Sequence, residues 1–268
     1  MAEIFAELLY NSILLYMDDC IVFSKTWEEH LTRLSKFFSI VRKAQLKLKP
    51  KKSFIGFKET AVLGFIVDSS GTRPDSRKTS AINDFPVPRR KQKDVRAFLA
   101  MCSFYRARIP HFADISIPLY QLTKQRVPFS WNADCQRAFD TLKRALMGHQ
   151  VLAHYDPANT ELELHTDASN NAISAVLHQR YKNGSLKPVG YMSRVLGINE
   201  KNWSICEKEL LAVTFGLEKF KPFLWNMKFT IVTDNQALVY VNKIQSPTMR
   251  LSKLALKLSD FMYTVSKA

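Results

Sequence analysis

Several residue classes are scarce in this chain. Glycine and proline number only 8 and 11 among 268 residues, which excludes collagen-like and low-complexity architectures. Acidic side chains are also few: 24 stand against 39 lysines and arginines, for a net charge of +15. An excess this large predicts a polyanionic partner, although a merely soluble basic surface is an alternative that composition leaves open.

Cysteine is rare, and long hydrophobic runs are missing. The four cysteines form no CxxC pair, which argues against a zinc site or a disulfide framework and indicates a reducing compartment. The apolar stretch 4–17 contains Glu7 and Asn11 and lacks a basic leader, so it predicts neither a signal peptide nor a membrane span. We therefore expect an intracellular protein, cytoplasmic or nuclear, with no membrane partner. At 46% hydrophobic residues the chain can bury a core, and its length suggests about two domains.

Basic residues are clustered at two places. Residues 42–58 contain seven basic side chains and no acidic one, and a second cluster follows Pro88. Phenylalanines lie close to both clusters, so contact with a phosphate backbone is favoured over a merely solvated face. The candidate nucleic-acid-binding residues are Lys49, Lys51, Lys52, Arg89, Arg90, Lys91 and Arg96.

Apolar patterning predicts a chain of mixed secondary structure. Apolar runs before and after residues 17–19 predict a β-hairpin, Thr26 and Glu29 form a capping-box pattern at the start of a helix, and residues 75–150 are mainly helical in pattern. Strands are predicted at Ile13–Tyr16, Cys20–Phe23, Phe54–Phe57, Ala61–Val67, Glu161–Asp167, Ile173–Gln179, Pro188–Ser193, Lys228–Asp234 and Asp260–Val265, and helices from Gln92 to about Arg108 and from Ile205 to about Lys219.

Two adjacent carboxylates, Asp18 and Asp19, lie at the predicted tip of the first hairpin. Their mutual repulsion is tolerated where a cation neutralises them, and Mg²⁺ prefers such oxygen ligands. Taken alone the pair is weak evidence, because acidic turns are common.

The surrounding residues give the pair its context. Tyr16-Met17-Asp18-Asp19 resembles the YxDD motif of reverse transcriptases, and the resemblance continues over nearly the whole chain to the Pol polyproteins of gypsy-type LTR retrotransposons. It is carried by Leu48-Lys49-Pro50-Lys51-Lys52, Leu63-Gly64-Phe65-Ile66-Val67, Gly71-Thr72-Arg73-Pro74-Asp75, Phe85-Pro86-Val87-Pro88, Arg96-Ala97-Phe98-Leu99, Pro118-Leu119 and Leu122-Thr123-Lys124.

The resemblance implies an α/β fold in three parts. Residues 1–74 would be the C-terminal part of a reverse transcriptase palm, an α+β remnant. Residues 75–150 would be a helical, thumb-like region and tether, and 151–268 a mixed α/β RNase H-like domain, truncated at its C-terminus. The hairpin around Leu63–Val67 would steady the primer end.

A second set of acids lies in the last part: Asp167 and Asp234 at the ends of predicted strands, and Glu209 on a predicted helix. Only tertiary folding can bring them together, as a pair of divalent ions requires. By resemblance to the family's RNase H domain, these three bind the metal, Mg²⁺ or alternatively Mn²⁺, and Asp18 and Asp19 do so in the polymerase. Glu207 is the alternative helix acid, about 200° around the helix from Glu209. His165 is expected only to border the site.

By resemblance, the family synthesises DNA on an RNA template and hydrolyses RNA in RNA/DNA hybrids, so the expected partners are a hybrid or another duplex and the remainder of a Pol polyprotein. The family's first polymerase aspartate lies on a strand that would precede Met1, and its fourth nuclease acid would follow Ala268. We therefore expect no polymerisation by this chain alone and reduced nuclease activity. The alternative is a non-catalytic nucleic-acid-binding remnant of a decayed retroelement.

Overall fold

The protein is a mixed α/β chain divided into two compact units. The computed structural model describes residues 1–88, 92–125, 127–148, 151–159, 161–234 and 249–267. The N-terminal unit is Met1–Lys58 and the C-terminal unit is Glu59–Ala268. The α/β fold class is confirmed, whereas the division at residues 74 and 150 stays a prediction.

The N-terminal unit contains the predicted hairpin and a long helix. Strands β1 (Ile13–Tyr16) and β2 (Asp19–Val22) pair antiparallel, with Tyr16 opposite Asp19. Helix α1 (Trp27–Lys43) begins at Thr26, whose hydroxyl accepts from the backbone N–H of Glu29. The core lies between them and includes stacked rings of Phe5 and Phe37.

The predicted strand Phe54–Phe57 is wrong. A short 3₁₀ turn, Pro50–Lys52, is followed by irregular chain in which Phe54 and Phe57 are exposed and their rings meet edge to face. Gly56 has φ +76°, a left-handed conformation that interrupts an extended strand.

The C-terminal unit begins with a small antiparallel sheet of β3 (Thr60–Val62), β4 (Phe65–Asp68) and β5 (Gly71–Pro74). The single strand predicted over Ala61–Val67 is therefore wrong, since the chain reverses at Leu63 (φ 51°) and Gly64 (φ 85°).

Helices form the next layer of this unit. They are α2 (Ser76–Asn83), α3 (Gln92–Phe104), α4 (Phe112–Leu122) and α5 (Ala133–Met147). Helix α3 ends before the predicted Arg108, and Arg106–Arg108 form a 3₁₀ turn. Fully buried phenylalanines from three of the helices, Phe98, Phe112 and Phe139, form the centre of their core.

A five-stranded sheet follows, in the order β10-β9-β6-β7-β8. The strands are β6 (Leu162–Ala168), β7 (Ala172–Arg180), β8 (Leu186–Val195), β9 (Lys228–Thr233) and β10 (Met262–Lys267). Strand β6 runs parallel to β9 and antiparallel to β7. The predicted strands of this part are confirmed.

Two helices complete this layer, α6 (Ile205–Leu224) and α7 (Met249–Leu258). Helix α6 packs on the face of the sheet that carries Leu162 and Leu164, and it approaches so closely that a Cβ at Gly216 would lie 3.0 Å from Ala175 Cβ. Helix α6 thereby brings its N-terminal turns to the end of β6. Among the described residues, no helix is long and apolar enough to cross a membrane.

Candidate functional site

The structure brings three predicted acids to one edge of the five-stranded sheet. Asp167 is the penultimate residue of β6, and Asp234 directly follows β9. The two strands are parallel neighbours in which His165 pairs with Val232, so the same register, continued by two residues, sets Asp167 beside Asp234. Glu209 approaches from the second turn of α6.

The electrostatics of Glu209 agree with this arrangement. Burial, then the negative charge of Asp167 and a smaller contribution from Asp234, raise the pKa of Glu209 from 4.5 to about 7. The backbone N–H of Ala168 donates to the Glu209 carboxylate and opposes that shift. Glu209 is 9% exposed, whereas Asp167 and Asp234 are exposed to solvent, so the site is a partly open cluster of three carboxylates.

Glu207, the alternative helix acid, caps the N-terminus of α6 instead. Its carboxylate accepts from the backbone N–H and hydroxyl of Ser204, while the Ser204 hydroxyl accepts from the Glu207 N–H, which completes a capping box at the start of α6. Arg250 also donates to Glu207 over 3.0 Å. Despite burial, these contacts hold the pKa of Glu207 below its usual 4.5. The geometry therefore favours Glu209 over Glu207 as the site acid.

Residues that the sequence did not single out also border Asp167. His111, in a left-handed conformation just before α4, has Nδ1 3.8 Å from Asp167 Oδ2 and 3.2 Å from Ser174 Oγ. Asp114 accepts a hydrogen bond from the Ser169 hydroxyl at 2.9 Å. No sequence signal could have found these contacts, because they join residues 55 or more positions apart.

His165 borders the site, but within the described part of the chain it makes no hydrogen bond or ion pair with the three acids. Its Nε2 lies 2.9 Å from Glu163 Oε2, and its ring meets that of His178 edge to face. The Ser193 hydroxyl accepts a hydrogen bond from the backbone N–H of Ala113, and the Arg194 guanidinium donates to the carboxylate of Glu200.

Asp18 and Asp19 lie at the exposed tip of the β1–β2 hairpin in the N-terminal unit. Met17, which precedes them, has φ 50° and is 79% exposed. A left-handed backbone at a residue other than glycine is strained, and such strain clusters at functional sites.

The predicted nucleic-acid-binding residues fall into three groups. Lys49, Lys51 and Lys52 are exposed along the 3₁₀ turn of the N-terminal unit. Arg96 is exposed on α3 of the C-terminal unit and donates to the carbonyl of Thr123. Arg89, Arg90 and Lys91 lie outside the described residues.

The three acids fit a divalent cation by their chemistry. Within the described residues, no group of three His, Cys, Asp or Glu side chains is close enough as it stands to hold a metal ion. Like-charged carboxylates separate unless a cation lies between them. Hard cations such as Mg²⁺ take carboxylate oxygens. Burial first, and then the charges of Asp167 and Asp234, raise the pKa of Glu209, and a bound cation would oppose both effects.

Two family models match the chain. Residues 1–67 match the reverse transcriptase (RNA-dependent DNA polymerase) family, and residues 131–231 match the RNase H-like domain found in reverse transcriptase. The chain is 36% identical over 251 residues to the retrovirus-related Pol polyprotein from transposon 412 of Drosophila melanogaster, covering 94% of this chain and 20% of that protein. It is 30% identical over 250 residues to the retrovirus-related Pol polyprotein from transposon gypsy of the same organism, covering 89% of this chain and 24% of that protein.

The chain belongs to the Pol polyproteins of LTR retrotransposons. This Pol segment spans between 20% and 24% of the length of those two relatives. The family functions are RNA-directed DNA synthesis and RNase H activity, for which these families generally use divalent metals.

Solved structures agree on the fold of the Pol segment. The foamy viral protease-reverse transcriptase in complex with RNA/DNA hybrid has a TM-score of 0.82 at 23% identity, covering 100% of this chain and 36% of that one. A second structure of the foamy viral protease-reverse transcriptase, labelled dRH and in complex with double-stranded DNA, has a TM-score of 0.84 at 23% identity. This match covers 100% of this chain and 47% of that one. Helices α2–α4 lie between the segments that the two family models match, and α5 lies within the RNase H-like match.

Proposed function

We propose that the C-terminal unit hydrolyses the RNA strand of RNA/DNA hybrids, with Asp167, Glu209 and Asp234 holding Mg²⁺. The observation that carries the proposal is the convergence of the three acids at one edge of the sheet, where the register of β6 and β9 sets Asp167 beside Asp234 and α6 brings Glu209 to them. The charges of both aspartates act on Glu209, in agreement with this arrangement. A buried carboxyl beside two further carboxylates is costly unless a cation is shared among them.

Each residue has a role in this proposal. Asp167 and Asp234 present exposed carboxylates at the ends of parallel strands, where a phosphodiester can approach from solvent. Glu209 reaches the site from α6, where the N–H of Ala168 opposes the rise of its pKa. When bound, a pair of divalent ions activates water and stabilises the charge that develops on the phosphate. Because the pKa of Glu209 is raised to about 7, a fraction of the free protein carries a proton there at neutral pH, and loading the site would release it.

The test is cleavage of a labelled RNA strand in an RNA/DNA hybrid with Mg²⁺. We expect Asp167→Asn to remove cleavage, because it removes a charge from the cluster while leaving a side chain of the same shape. Glu207→Gln is the matched control, since this acid lies two residues from Glu209 yet belongs to the helix cap. Equal rates in the wild-type protein and Asp167→Asn would remove the site assignment.

Asp18 and Asp19 are proposed as carboxylates of the polymerase site. Support comes from their exposure at a strained hairpin tip and from the match to reverse transcriptases over residues 1–67. Mn²⁺ added to the protein should broaden the NMR signals of both residues, and Asp18→Asn should weaken the effect. Broadening that spares this hairpin would contradict the assignment.

Lys49, Lys51, Lys52 and Arg96 are proposed to contact the phosphate backbone, together with Arg89, Arg90 and Lys91. The exposure of the described members and the net charge of +15 support this. If six to ten basic side chains meet phosphates, affinity for a hybrid should fall roughly 10³- to 10⁵-fold between 50 and 200 mM salt. A flat salt response would contradict the assignment, and salt-dependent binding without cleavage would select the non-catalytic alternative.

A further inference from the structure

The first turn of α4 is attached directly to the part of the sheet that carries Asp167. Asp114 Oδ1 lies 2.9 Å from Ser169 Oγ, and the backbone N–H of Ala113 donates to Ser193 Oγ over 3.0 Å. Arg106 donates to the carbonyl of Ser193 over 2.6 Å. All three partners on the helical side precede residue 131, where the match to the RNase H-like family begins. The candidate nuclease site is therefore bordered by residues outside its own domain family.

Ser169 fixes the turn between β6 and β7. Its hydroxyl oxygen accepts from the backbone N–H groups of Asn171 and Ala172, over 3.1 and 2.9 Å. The hydroxyl has a single proton, which can go to Asp114 at 2.9 Å or to the carbonyl of Ala172 at 3.2 Å. That carbonyl already accepts from the Ser169 N–H, and a carboxylate is the stronger acceptor. The proton therefore goes to Asp114, which completes the bonding of this turn.

The same turn determines the geometry of two site acids. Asp167 lies two residues before Ser169, and the N–H of the intervening Ala168 donates to Glu209. Displacement of Ser169 would move the Asp167 carboxylate and the donor that orients Glu209 together.

We propose that Asp114 is a positioning residue for the nuclease site, acting through Ser169 on Asp167 and Glu209. The inference rests on the proposed function of those acids. An ordinary alternative is that Asp114 serves only its own helix, because acids in a first turn stabilise a helix through its dipole. Asp94 occupies the equivalent place in the first turn of α3, and it is not among the described hydrogen-bond partners of Ser169. Asp94→Ala therefore removes the same dipole contribution without removing a bond to Ser169.

The experiment compares Asp114→Ala, Asp114→Asn, Ser169→Ala and Asp94→Ala in the full chain. The first measurement is hydrogen exchange of the amides at residues 169–172. We expect roughly tenfold faster exchange in Asp114→Ala and Ser169→Ala. Asp114→Asn should exchange like the wild-type protein, because its amide oxygen can still accept the Ser169 proton. Unchanged exchange in Asp114→Ala, or an equal change in Asp94→Ala, overturns the proposal.

The second measurement is Mn²⁺ affinity by calorimetry, with the kinetics of hybrid cleavage. Loss of a direct partner of a metal ligand weakens metal binding roughly 10- to 100-fold. Asp114 acts one step further out, through Ser169, so we expect a loss at or below the lower end, roughly tenfold, in Asp114→Ala. We also expect a lower kcat, an unchanged KM and rescue by Asp114→Asn. A changed KM with unchanged kcat and metal affinity overturns the positioning role. If the wild-type protein shows no metal binding that depends on Asp167, the proposed function fails, and hydrogen exchange alone decides whether Asp114 holds the turn.

Discussion

Replacing Glu209 with glutamine should make the metal-free protein more stable at neutral pH. Glutamine has nearly the same shape and keeps an oxygen for the Ala168 N–H, but it carries no charge. Burial and the charges of Asp167 and Asp234 raise the pKa of Glu209 from 4.5 to about 7. Between these values the folded protein binds a proton that the unfolded chain releases, so its stability falls as the pH rises. The full cost of ionising Glu209 is present above pH 7.

The magnitude follows from the shift. One pKa unit corresponds to about 1.4 kcal/mol, so the displacement of Glu209 costs about 3 kcal/mol above pH 7. Glu209→Gln should therefore raise the free energy of unfolding by up to that amount at about pH 8 and by little at about pH 4. Because Glu209 is 9% exposed, solvent screening does not remove the effect.

The assay is urea unfolding at both pH values in the presence of a chelator. Glu207→Gln is the control, because the partners of Glu207 lower its pKa. Its carboxylate contributes stability above the unfolded value of 4.5, and that contribution is lost as the pH falls through the lower folded value. Glu207→Gln should thus destabilise at pH 8, opposite in sign to Glu209→Gln. The reasoning would be refuted if the difference in free energy of unfolding between Glu209→Gln and the wild-type protein were the same at about pH 4 and about pH 8.

Three further outcomes are expected. Asp167→Asn should lower the pKa of Glu209 from about 7, because a like charge is removed, and a carbon-13 NMR titration of the Glu209 carboxyl group measures it. An unchanged pKa would mean that the charge of Asp167 does not act on Glu209. Gly71→Ala should reduce the free energy of unfolding, measured in urea, by about 2–4 kcal/mol. The φ of Gly71 is 144°, and the new Cβ would lie 2.0 Å from the Leu152 carbonyl oxygen. An unchanged free energy of unfolding would contradict this geometry. Arg108→Lys should destabilise the protein by about 1–3 kcal/mol. The buried guanidinium, whose pKa is lowered to about 10 by burial, donates to both oxygens of Thr72 over 2.6 Å, and lysine lacks this planar pair of donors. Calorimetry should show a lower melting temperature, and an unchanged melting temperature would contradict this role of Arg108.

Local patterns predicted much of the fold because the deciding interactions are local. The alternation of Leu162 and Leu164 identified β6, since period two directs both side chains to the face covered by α6. Leu63 shows the limit of such patterns. It lies inside a continuous apolar run, yet it adopts φ 51° and the chain reverses there. Apolar content cannot distinguish a strand from a tight hairpin when the turn residue is itself apolar.

The candidate site was predictable to differing degrees. Resemblance selected Asp167, Glu209 and Asp234, but periodicity could only state that Glu207 and Glu209 face different directions. A local signal for Glu207 was present, because a serine three residues before a glutamate is a capping-box pattern. The contact between Asp114 and Ser169 has no such signal, since it depends on how α4 packs against the sheet.

The opposite pKa shifts of Glu207 and Glu209 connect the fold to the chemistry. Both residues lie near the start of α6 and both are 9% exposed. Burial raises the pKa of both carboxyls, but only at Glu207 do hydrogen-bond donors and a basic partner outweigh it. Glu207 is surrounded by donors from Ser204 and Arg250, whereas Glu209 faces two carboxylates with the Ala168 N–H as its identified donor. In the proposed site a divalent cation would relieve the repulsion at Glu209, so Mg²⁺ should stabilise the wild-type protein more than Glu209→Gln. Equal stabilisation of the two proteins would mean that the ion binds elsewhere.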